Sequence, residues 1–184
     1  MSVFSQRRVV ITGLGAISNL GHDVASTWSG MLEGRAGIGP ITAFPQDELW
    51  PSRIAGEVHD WDPTEKLDRG EMKKTDRFAQ LGIWAAVEAM ENCGLDWDQG
   101  DPYRRGVVIG SGVGGIQTIE HFSHVLAAKG PKRLSPFTVP KLMVNAVAGN
   151  VSIRFNLRGV NSAPATACAT GGHALAEACM FIAM

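Results

Sequence analysis

The stretch that most constrains the fold runs from residue 159 to residue 184, with the sequence GVNSAPATACATGGHALAEACMFIAM. Residues 160–167 are small and apolar enough for a buried strand, and Gly171 and Gly172 then open a helix of small residues. Cys168 lies at the junction, where the unpaired N–H groups and positive partial charge of a helix N-terminus favour a thiolate. This strand–turn–helix pattern is typical of a nucleophile elbow in which cysteine replaces serine.

Two interpretations of Cys168 are open on this local context. In the first, Cys168 is a nucleophile that carries an acyl group covalently, because the thiolate is the reactive form of cysteine. In the second, Cys168 is a buried packing residue, which is the commoner role of free cysteines in folded proteins. The neighbouring residues favour neither interpretation over the other.

The composition indicates a globular chain and excludes several functional classes. The 184 residues are 45% hydrophobic and 19% charged, and a net charge of −1 gives no general attraction to nucleic acid or to a membrane surface. The three cysteines have unrelated spacings, so they predict neither a disulfide framework nor a zinc site, and a reducing compartment is expected. Neither a signal peptide nor a membrane-spanning stretch is predicted. We therefore expect a cytoplasmic chain.

The order of the apolar runs predicts an α/β fold with a mostly parallel sheet that helices cover on both faces. The predicted strands are residues 8–12, 106–110 and 160–167, with a further short strand within residues 53–58. The predicted helices are residues 23–33, a largely buried helix capped by Thr75 or Asp76 and ended at Gly94, residues 116–128, and a helix from Pro140 to Phe155 with an apolar stripe.

Two glycine patterns follow predicted strands, and neither completes a phosphate-binding motif. The first, GLG at residues 13–15, has Ser18 where a dinucleotide-binding fingerprint needs its third glycine. The second covers residues 110–115 and continues with Ile116, so it lacks the lysine of a P-loop. We interpret the second pattern as a site of close packing or as room for a substrate chain.

Four motifs, in their order along the chain, resemble those of one enzyme family. They are VVITGLGAISNLG, GVVIGSGVGG, SPFTVPKLMVNAVAGNVSIRFNLRGVN and ATACATGGHA. Over essentially all of its length the chain resembles a β-ketoacyl-[acyl-carrier-protein] synthase of the bacterial elongating type, synthase II and, nearly as closely, synthase I. The resemblance implies the thiolase-like fold of αβαβα layers, made of two similar α/β halves. It also implies the elongation of fatty acids or polyketides by decarboxylative condensation.

The resemblance implies roles for four residues near the reaction. Cys168 matches the nucleophile that takes an acyl group from the phosphopantetheine thioester of the carrier, and its backbone N–H is expected to form half of the oxyanion hole. Val113 matches a position that lines the acyl pocket and is smaller than the isoleucine often found there. Phe137 and Thr138 are expected near the same pocket, where the other subunit contributes.

The partners follow from the same resemblance. Lys73 and Lys74 match basic positions that dock the acidic acyl-carrier protein, and Lys132 and Arg133 are weaker candidates for that role. The family works as a homodimer. No tightly bound cofactor is expected, because the substrates arrive on the phosphopantetheine of the carrier.

The family's reaction also needs groups from a C-terminal half that residues 1–184 do not contain. The resemblance implies that these groups are two histidines that promote decarboxylation of the malonyl unit, a lysine, a phenylalanine and the second oxyanion-hole N–H. The apolar run that ends at Met184 carries no helix stop signal. We therefore expect residues 1–184 to be the N-terminal part of a longer synthase domain and to lack condensing activity by themselves.

None of the chain's own histidines matches the catalytic histidines of the family. The chain's histidines are His22, His59, His121, His124 and His173. His173 follows Cys168 by five residues, so on a shared helix it is expected to point away from the sulfur. His121 and His124 are three residues apart, but two imidazoles without a third ligand make a weak metal site, and no metal is expected.

Two other functions are compatible with parts of the sequence. A truncated, non-catalytic synthase-like chain could dimerise with a full-length relative or bind an acyl carrier without turnover. Retention of Cys168 argues against this reading, because a purely structural partner does not need a nucleophile. A nucleotide-binding oxidoreductase domain rests on the glycines of residues 13–15 alone and is the weaker hypothesis.

Overall fold

The computed structural model describes residues 7–184. The helices in this range are α1 Val24–Leu32, α2 Arg69–Lys74, α3 Arg77–Asn92, α4 Ile116–Lys129, α5 Thr138–Leu142, α6 Ala146–Arg154 and α7 Thr170–Ala183. The strands are β1 Gly39–Pro40, β2 Ile54–Ala55, β3 Val107–Val108 and β4 Asn161–Ser162. Short 3₁₀ turns cover Pro63–Glu65, Pro102–Arg104, Pro131–Arg133 and Ala167–Ala169. No helix within residues 7–184 is long and apolar enough to cross a membrane.

The described chain divides into two compact units. The first unit contains residues 7–11, 67–83 and 95–184, and the second contains residues 12–66 and 84–94. The buried side chains of the first unit are mostly aliphatic: Leu67, Ala79, Ile83, Val107, Val147, Val151 and Leu157. Those of the second unit include Trp61, Trp84 and Val87.

A parallel strand pair organises the first unit. β3 and β4 align Val107 with Asn161 and Val108 with Ser162. The carboxyl ends of parallel strands meet at one edge of a sheet, so the segments that follow β3 and β4 lie side by side. Strands therefore form within both predicted regions, 106–110 and 160–167, and they pair in parallel, but each is only two residues long. The expectation that residues 160–167 are a buried strand is wrong within the described chain, because none of these residues is buried and Val160 is 44% exposed.

The prediction of a buried strand at residues 8–12 is wrong for the described structure. This segment belongs to no strand, and Val10 and Ile11 are 70% and 69% exposed. A β-branched run becomes a buried strand only when a neighbouring strand pairs with its backbone and a second layer covers its side chains. Within residues 7–184 no strand pairs with this segment.

The single helix predicted from Pro140 to Phe155 is two helices, α5 and α6, separated at residues 143–145. The carbonyl of Leu142 accepts a hydrogen bond from Gly115 N at 3.0 Å, so a long-range contact lies at the point where α5 ends. The apolar stripe is partly confirmed, because Val147 and Val151 of α6 are buried.

The long helix α3 agrees closely with the sequence prediction. It begins just after Asp76, and Gly94, with a φ of 69° that suits glycine, follows its end. In the first unit, Gly82 of α3 lies against α6, where a Cβ on Gly82 would be 2.5 Å from Val147 Cγ1. The absence of a side chain at Gly82 therefore allows these two helices to approach each other closely.

The glycines of residues 13–15 have a packing role in the second unit. A Cβ on Gly15 would overlap the carbonyl oxygen of Ala85, and one on Gly13 would overlap that of Ala89. The segment thus runs directly against the backbone of α3. This contact accounts for both glycines of the pattern that suggested nucleotide binding.

The second unit also contains an antiparallel pair of strands and a capped helix. β1 pairs with β2, which lies within the predicted strand region 53–58. The predicted helix at residues 23–33 is confirmed as α1, whose N-cap Asp23 accepts a hydrogen bond from Ser26 N at 2.6 Å. Glu88 of α3 also binds the start of α1 and the segment before it. Its carboxylate accepts hydrogen bonds from Val24 N and Ala16 N, each at 2.9 Å.

Candidate active site

Cys168 lies in a strained turn at the start of α7. The 3₁₀ turn Ala167–Ala169 leads into this helix, and Cys168 at its centre is exposed. Ala167 has a φ of 50°, in the left-handed region that residues with a Cβ rarely adopt. Strained backbone of this kind is concentrated at functional turns. The exposure of Cys168 within the described chain also argues against the interpretation that it is a packing residue.

Hydrogen bonds from two threonines hold this turn, which we call the elbow (residues 166–170). The buried hydroxyl of Thr170 accepts from Thr166 N and donates to Ala167 O, each at 2.8 Å. The hydroxyl of Thr166 lies 2.8 Å from His173 Nδ1. Cys168 is therefore carried on a backbone that side chains fix on both sides of it.

The glycine-rich turn (residues 110–115) lies directly against the elbow. A Cβ on Gly110 would overlap Pro164 O and would lie 2.5 Å from Thr170 Cγ2. A Cβ on Gly112 would lie 3.4 Å from Ala167 Cα. The side chain of Val113, which is 61% exposed, projects from this turn. The interpretation of the pattern as a site of close packing is thus confirmed at Gly110.

The segment around α5 packs against the other end of the glycine-rich turn. Gly114 has a φ of 82°, and a Cβ there would lie 2.5 Å from Leu142 O. Phe137 and Thr138 begin α5, and the hydroxyl of Thr138 donates to Ser135 O at 2.7 Å. The structure therefore joins the segments that carry Val113, Phe137 and Thr138, and it joins the glycine-rich turn to the elbow.

Comparison with known proteins identifies the family. The family profile described as "Beta-ketoacyl synthase, N-terminal domain" matches residues 6–184. The chain belongs to the β-ketoacyl synthase family. One relative, the 3-oxoacyl-[acyl-carrier-protein] synthase 2 of Vibrio harveyi, is 45% identical over 179 residues, which are 97% of this chain and 43% of that protein. This ketoacyl synthase chain thus spans less than half the length of the relative.

Solved structures show the same thiolase-like fold. A β-ketoacyl synthase from Burkholderia phymatum STM815 matches with a TM-score of 0.84 and 25% identity, over 97% of this chain and 44% of that one. A ketosynthase solved with its type II PKS acyl-carrier protein and bound to a hexaketide matches with a TM-score of 0.79 and 25% identity, over 96% and 47%. The expected α/β fold class is confirmed over the part of these chains that residues 7–184 cover.

The basic residues that the sequence singled out lie on two other elements of this synthase chain. Lys73 and Lys74 are exposed and form the last turn of α2, where positive charge complements the helix dipole. Lys132 and Arg133 are exposed in the 3₁₀ turn Pro131–Arg133. Neither pair belongs to the elbow or to the glycine-rich turn.

No motif in the sequence indicates that Thr166, Thr170 and His173 act together at the elbow. Their signal was present, because threonines on both sides of a helix start commonly bond to the nearby backbone. For the imidazole of His173 the sequence predicts only that it points away from the sulfur of Cys168. In the structure its partner is the Thr166 hydroxyl, two residues before the cysteine.

Within residues 7–184, no group of three or more histidine, cysteine, aspartate or glutamate side chains is arranged to hold a metal ion. The ring of His121 instead contacts Phe122 in an edge-on arrangement, with centroids 4.9 Å apart.

Proposed function

We propose that the full-length protein is a β-ketoacyl-[acyl-carrier-protein] synthase of fatty-acid or polyketide chain elongation, and that Cys168 is its acyl-accepting nucleophile. The single observation that carries the proposal is an exposed cysteine on a strained elbow at a helix N-terminus, beside a glycine-rich turn, in a chain of this family. The distant relative solved with an acyl-carrier protein supports the same class of substrate.

In the first step, the thiolate of Cys168 attacks the thioester carbonyl carbon of the acyl carrier. A new carbon–sulfur bond forms, and the electron pair of the carbonyl moves to its oxygen. When the carbonyl re-forms, the bond to the phosphopantetheine sulfur breaks, and the departing thiolate takes up a proton. We propose that the backbone N–H of Cys168 and the positive end of α7 stabilise the oxyanion between these two events, which the position of Cys168 at the start of α7 supports.

The acyl chain is proposed to extend along Val113, Phe137 and Thr138. Support comes from the packing of the glycine-rich turn between the elbow and the segment of α5. Val113 is exposed within the described chain, so its side chain is available to a hydrophobic ligand or to a second subunit. Because Val113 is smaller than the isoleucine often found at this position in the family, we expect the pocket to accept a different range of acyl-chain lengths.

The second step is the condensation with malonyl carrier. Loss of carbon dioxide generates the carbanion equivalent that attacks the acyl-Cys168 carbonyl, and the Cys168 thiolate leaves. We assign the histidines for this step to the rest of the full-length protein, of which residues 1–184 are proposed to be the N-terminal part. In this proposal the protein is a cytoplasmic homodimer without a tightly bound cofactor, and Lys73 and Lys74 dock the acidic acyl carrier.

Acyl labelling of the full-length protein tests the nucleophile. Incubation with an acyl-carrier thioester is expected to add one acyl group, located at Cys168 by peptide mass spectrometry. The variant Cys168→Ala should lose this label, whereas Cys179→Ala, which removes another cysteine of α7, should keep it. Persistent labelling in Cys168→Ala contradicts the assignment. A stable heterodimer with a related synthase, formed without acyl-Cys168, would instead favour the non-catalytic partner.

A further inference from the structure

A buried carboxylate touches the glycine-rich turn from outside it. Asp76, which precedes α3, is 7% exposed, and its Oδ2 accepts hydrogen bonds from Thr118 N at 3.0 Å and from the Thr118 hydroxyl at 2.5 Å. Its Oδ1 accepts from Phe78 N at 3.3 Å. One carboxylate thus joins the start of α3 to a residue 42 positions away in the chain.

Asp76 caps the helix that follows the glycine-rich turn. Thr118 is the third residue of α4, and Gly115, the N-cap of α4, has no side chain with which to bond the first N–H groups. A carboxylate at a helix N-terminus satisfies such a group and interacts favourably with the helix dipole. Asp76 therefore performs from a distant segment the task that a local capping residue usually performs.

The same carboxylate packs against the backbone of the turn. A Cβ on Gly115 would lie 3.0 Å from Asp76 Oδ2, so Asp76 closely approaches the last residue of the turn. On its other side, Gly115 N donates to Leu142 O at 3.0 Å. The far end of the turn is thus held between Asp76 and α5, while the near end at Gly110 is held by the elbow.

We propose that Asp76 is a positioning residue that sets the acyl-chain preference of the Cys168 site. This inference rests on the proposed synthase function. Val113 is 61% exposed in the described chain, so the anchors of the turn, rather than packing of its own side chain, determine its position. Loss of the Asp76 anchor moves Val113 relative to Cys168, whose own elbow is held independently by Thr170. Selectivity among acyl chains therefore changes more than the reactivity of the sulfur.

Two variants of the full-length protein test this role. Thr118→Val removes the hydroxyl contact and keeps the backbone contact, and Asp76→Asn removes the charge and keeps an acceptor oxygen. Intact-mass spectrometry measures the rate at which Cys168 is acylated by a short and by a long saturated acyl-carrier thioester. The ratio of the two rate constants is expected to change several-fold in both variants, and Thr118→Ser should restore it.

Glu88→Gln is the matched control, because Glu88 lies on α3, the helix that Asp76 precedes, and its carboxylate likewise accepts two backbone hydrogen bonds, from Ala16 N and Val24 N. It should lower stability without changing the ratio. A wild-type ratio in Thr118→Val and Asp76→Asn, or the same change in Glu88→Gln, overturns the inference. If Asp76→Asn does not fold, Thr118→Val decides the question. Wild-type protein that takes no label at Cys168 overturns the proposed function and this inference together, whereas an unchanged ratio overturns the inference alone.

Discussion

The hydroxyl of Thr170 lies 2.8 Å from the backbone nitrogen of Thr166 and accepts its hydrogen bond across the turn that carries Cys168. The same hydroxyl donates to Ala167 O, the carbonyl of the residue with left-handed backbone. A single buried side chain therefore closes the elbow around the cysteine. It does so from the first residue of α7, so helix and turn are fixed together.

We expect Thr170→Val to slow acylation of Cys168 and to destabilise the protein. The substitution keeps the shape of the side chain but removes the hydrogen bonds to Thr166 N and Ala167 O, each of which contributes about 0.5–1.5 kcal/mol net. Stopped-flow or quenched acylation measures the rate, and denaturant titration measures the free energy of unfolding. Thr170→Ser should recover most of both, and a wild-type acylation rate in Thr170→Val contradicts the role.

A second prediction concerns the contact between the glycine-rich turn and the elbow. Gly110→Ala places a Cβ into Pro164 O and against Thr170, which calls for backbone movement and typically costs about 1–3 kcal/mol. We expect a matching decrease in the free energy of unfolding, together with slower labelling of Cys168. The measurements are denaturant titration and acyl labelling.

Gly149→Ala is the matched control for that substitution. Gly149 lies in α6, and a Cβ there would meet no atom within 4 Å. Alanine in place of glycine in a helix is expected to stabilise the protein by about 1 kcal/mol. If both alanine variants changed stability in the same direction, the close approach at Gly110 would not be the cause.

The third prediction is a pH dependence at α2. The backbone N–H groups of Glu71 and Gly70, followed by the charges of Arg154 and Lys74, lower the pKa of Asp68 below its ordinary value of 3.8. A carboxyl whose pKa is lower in the folded state stabilises the fold above its unfolded value. This contribution is lost as the pH falls through the lower, folded value.

Asp68→Asn should therefore be less stable than wild type near neutral pH, and the difference should shrink below pH 3.8. Denaturant titrations at a series of pH values measure it, and carbon NMR of the Asp68 carboxyl gives the folded pKa directly. An Asp68 pKa at or above 3.8 in the folded protein is the result that contradicts this account.

The sequence predicted features that depend on nearby residues and missed those that depend on distant ones. The limits of α3 follow from a capping position and Gly94, and the place of Cys168 at a helix start follows from the residues around it. The break between α5 and α6 coincides with a hydrogen bond to Gly115, and no local pattern encodes that partner. The strand expected at residues 8–12 failed for the same reason, because a strand forms only with a neighbour.

In the candidate site, too, the features that depend on nearby residues were predictable and those that depend on distant residues were not. Cys168 and the glycine-rich turn could be identified from short motifs, because their chemistry and backbone freedom are properties of the residues themselves. The link between Thr166 and His173 spans a turn of unknown shape, and the link between Asp76 and Thr118 spans 42 residues. Such pairs become visible only when the fold brings the two segments together.

The last prediction tests the carrier-docking role proposed for Lys73 and Lys74. The double variant Lys73→Glu, Lys74→Glu reverses two exposed charges and should slow acylation of Cys168 by an acyl-carrier protein, since charge complementarity mainly raises the association rate. Acylation by a carrier-free acyl-pantetheine thioester should be unchanged, which separates docking from chemistry. Added salt should slow the wild type towards the variant. Equal slowing with both donors would show that the lysines act on the fold or on Cys168 instead of on the carrier.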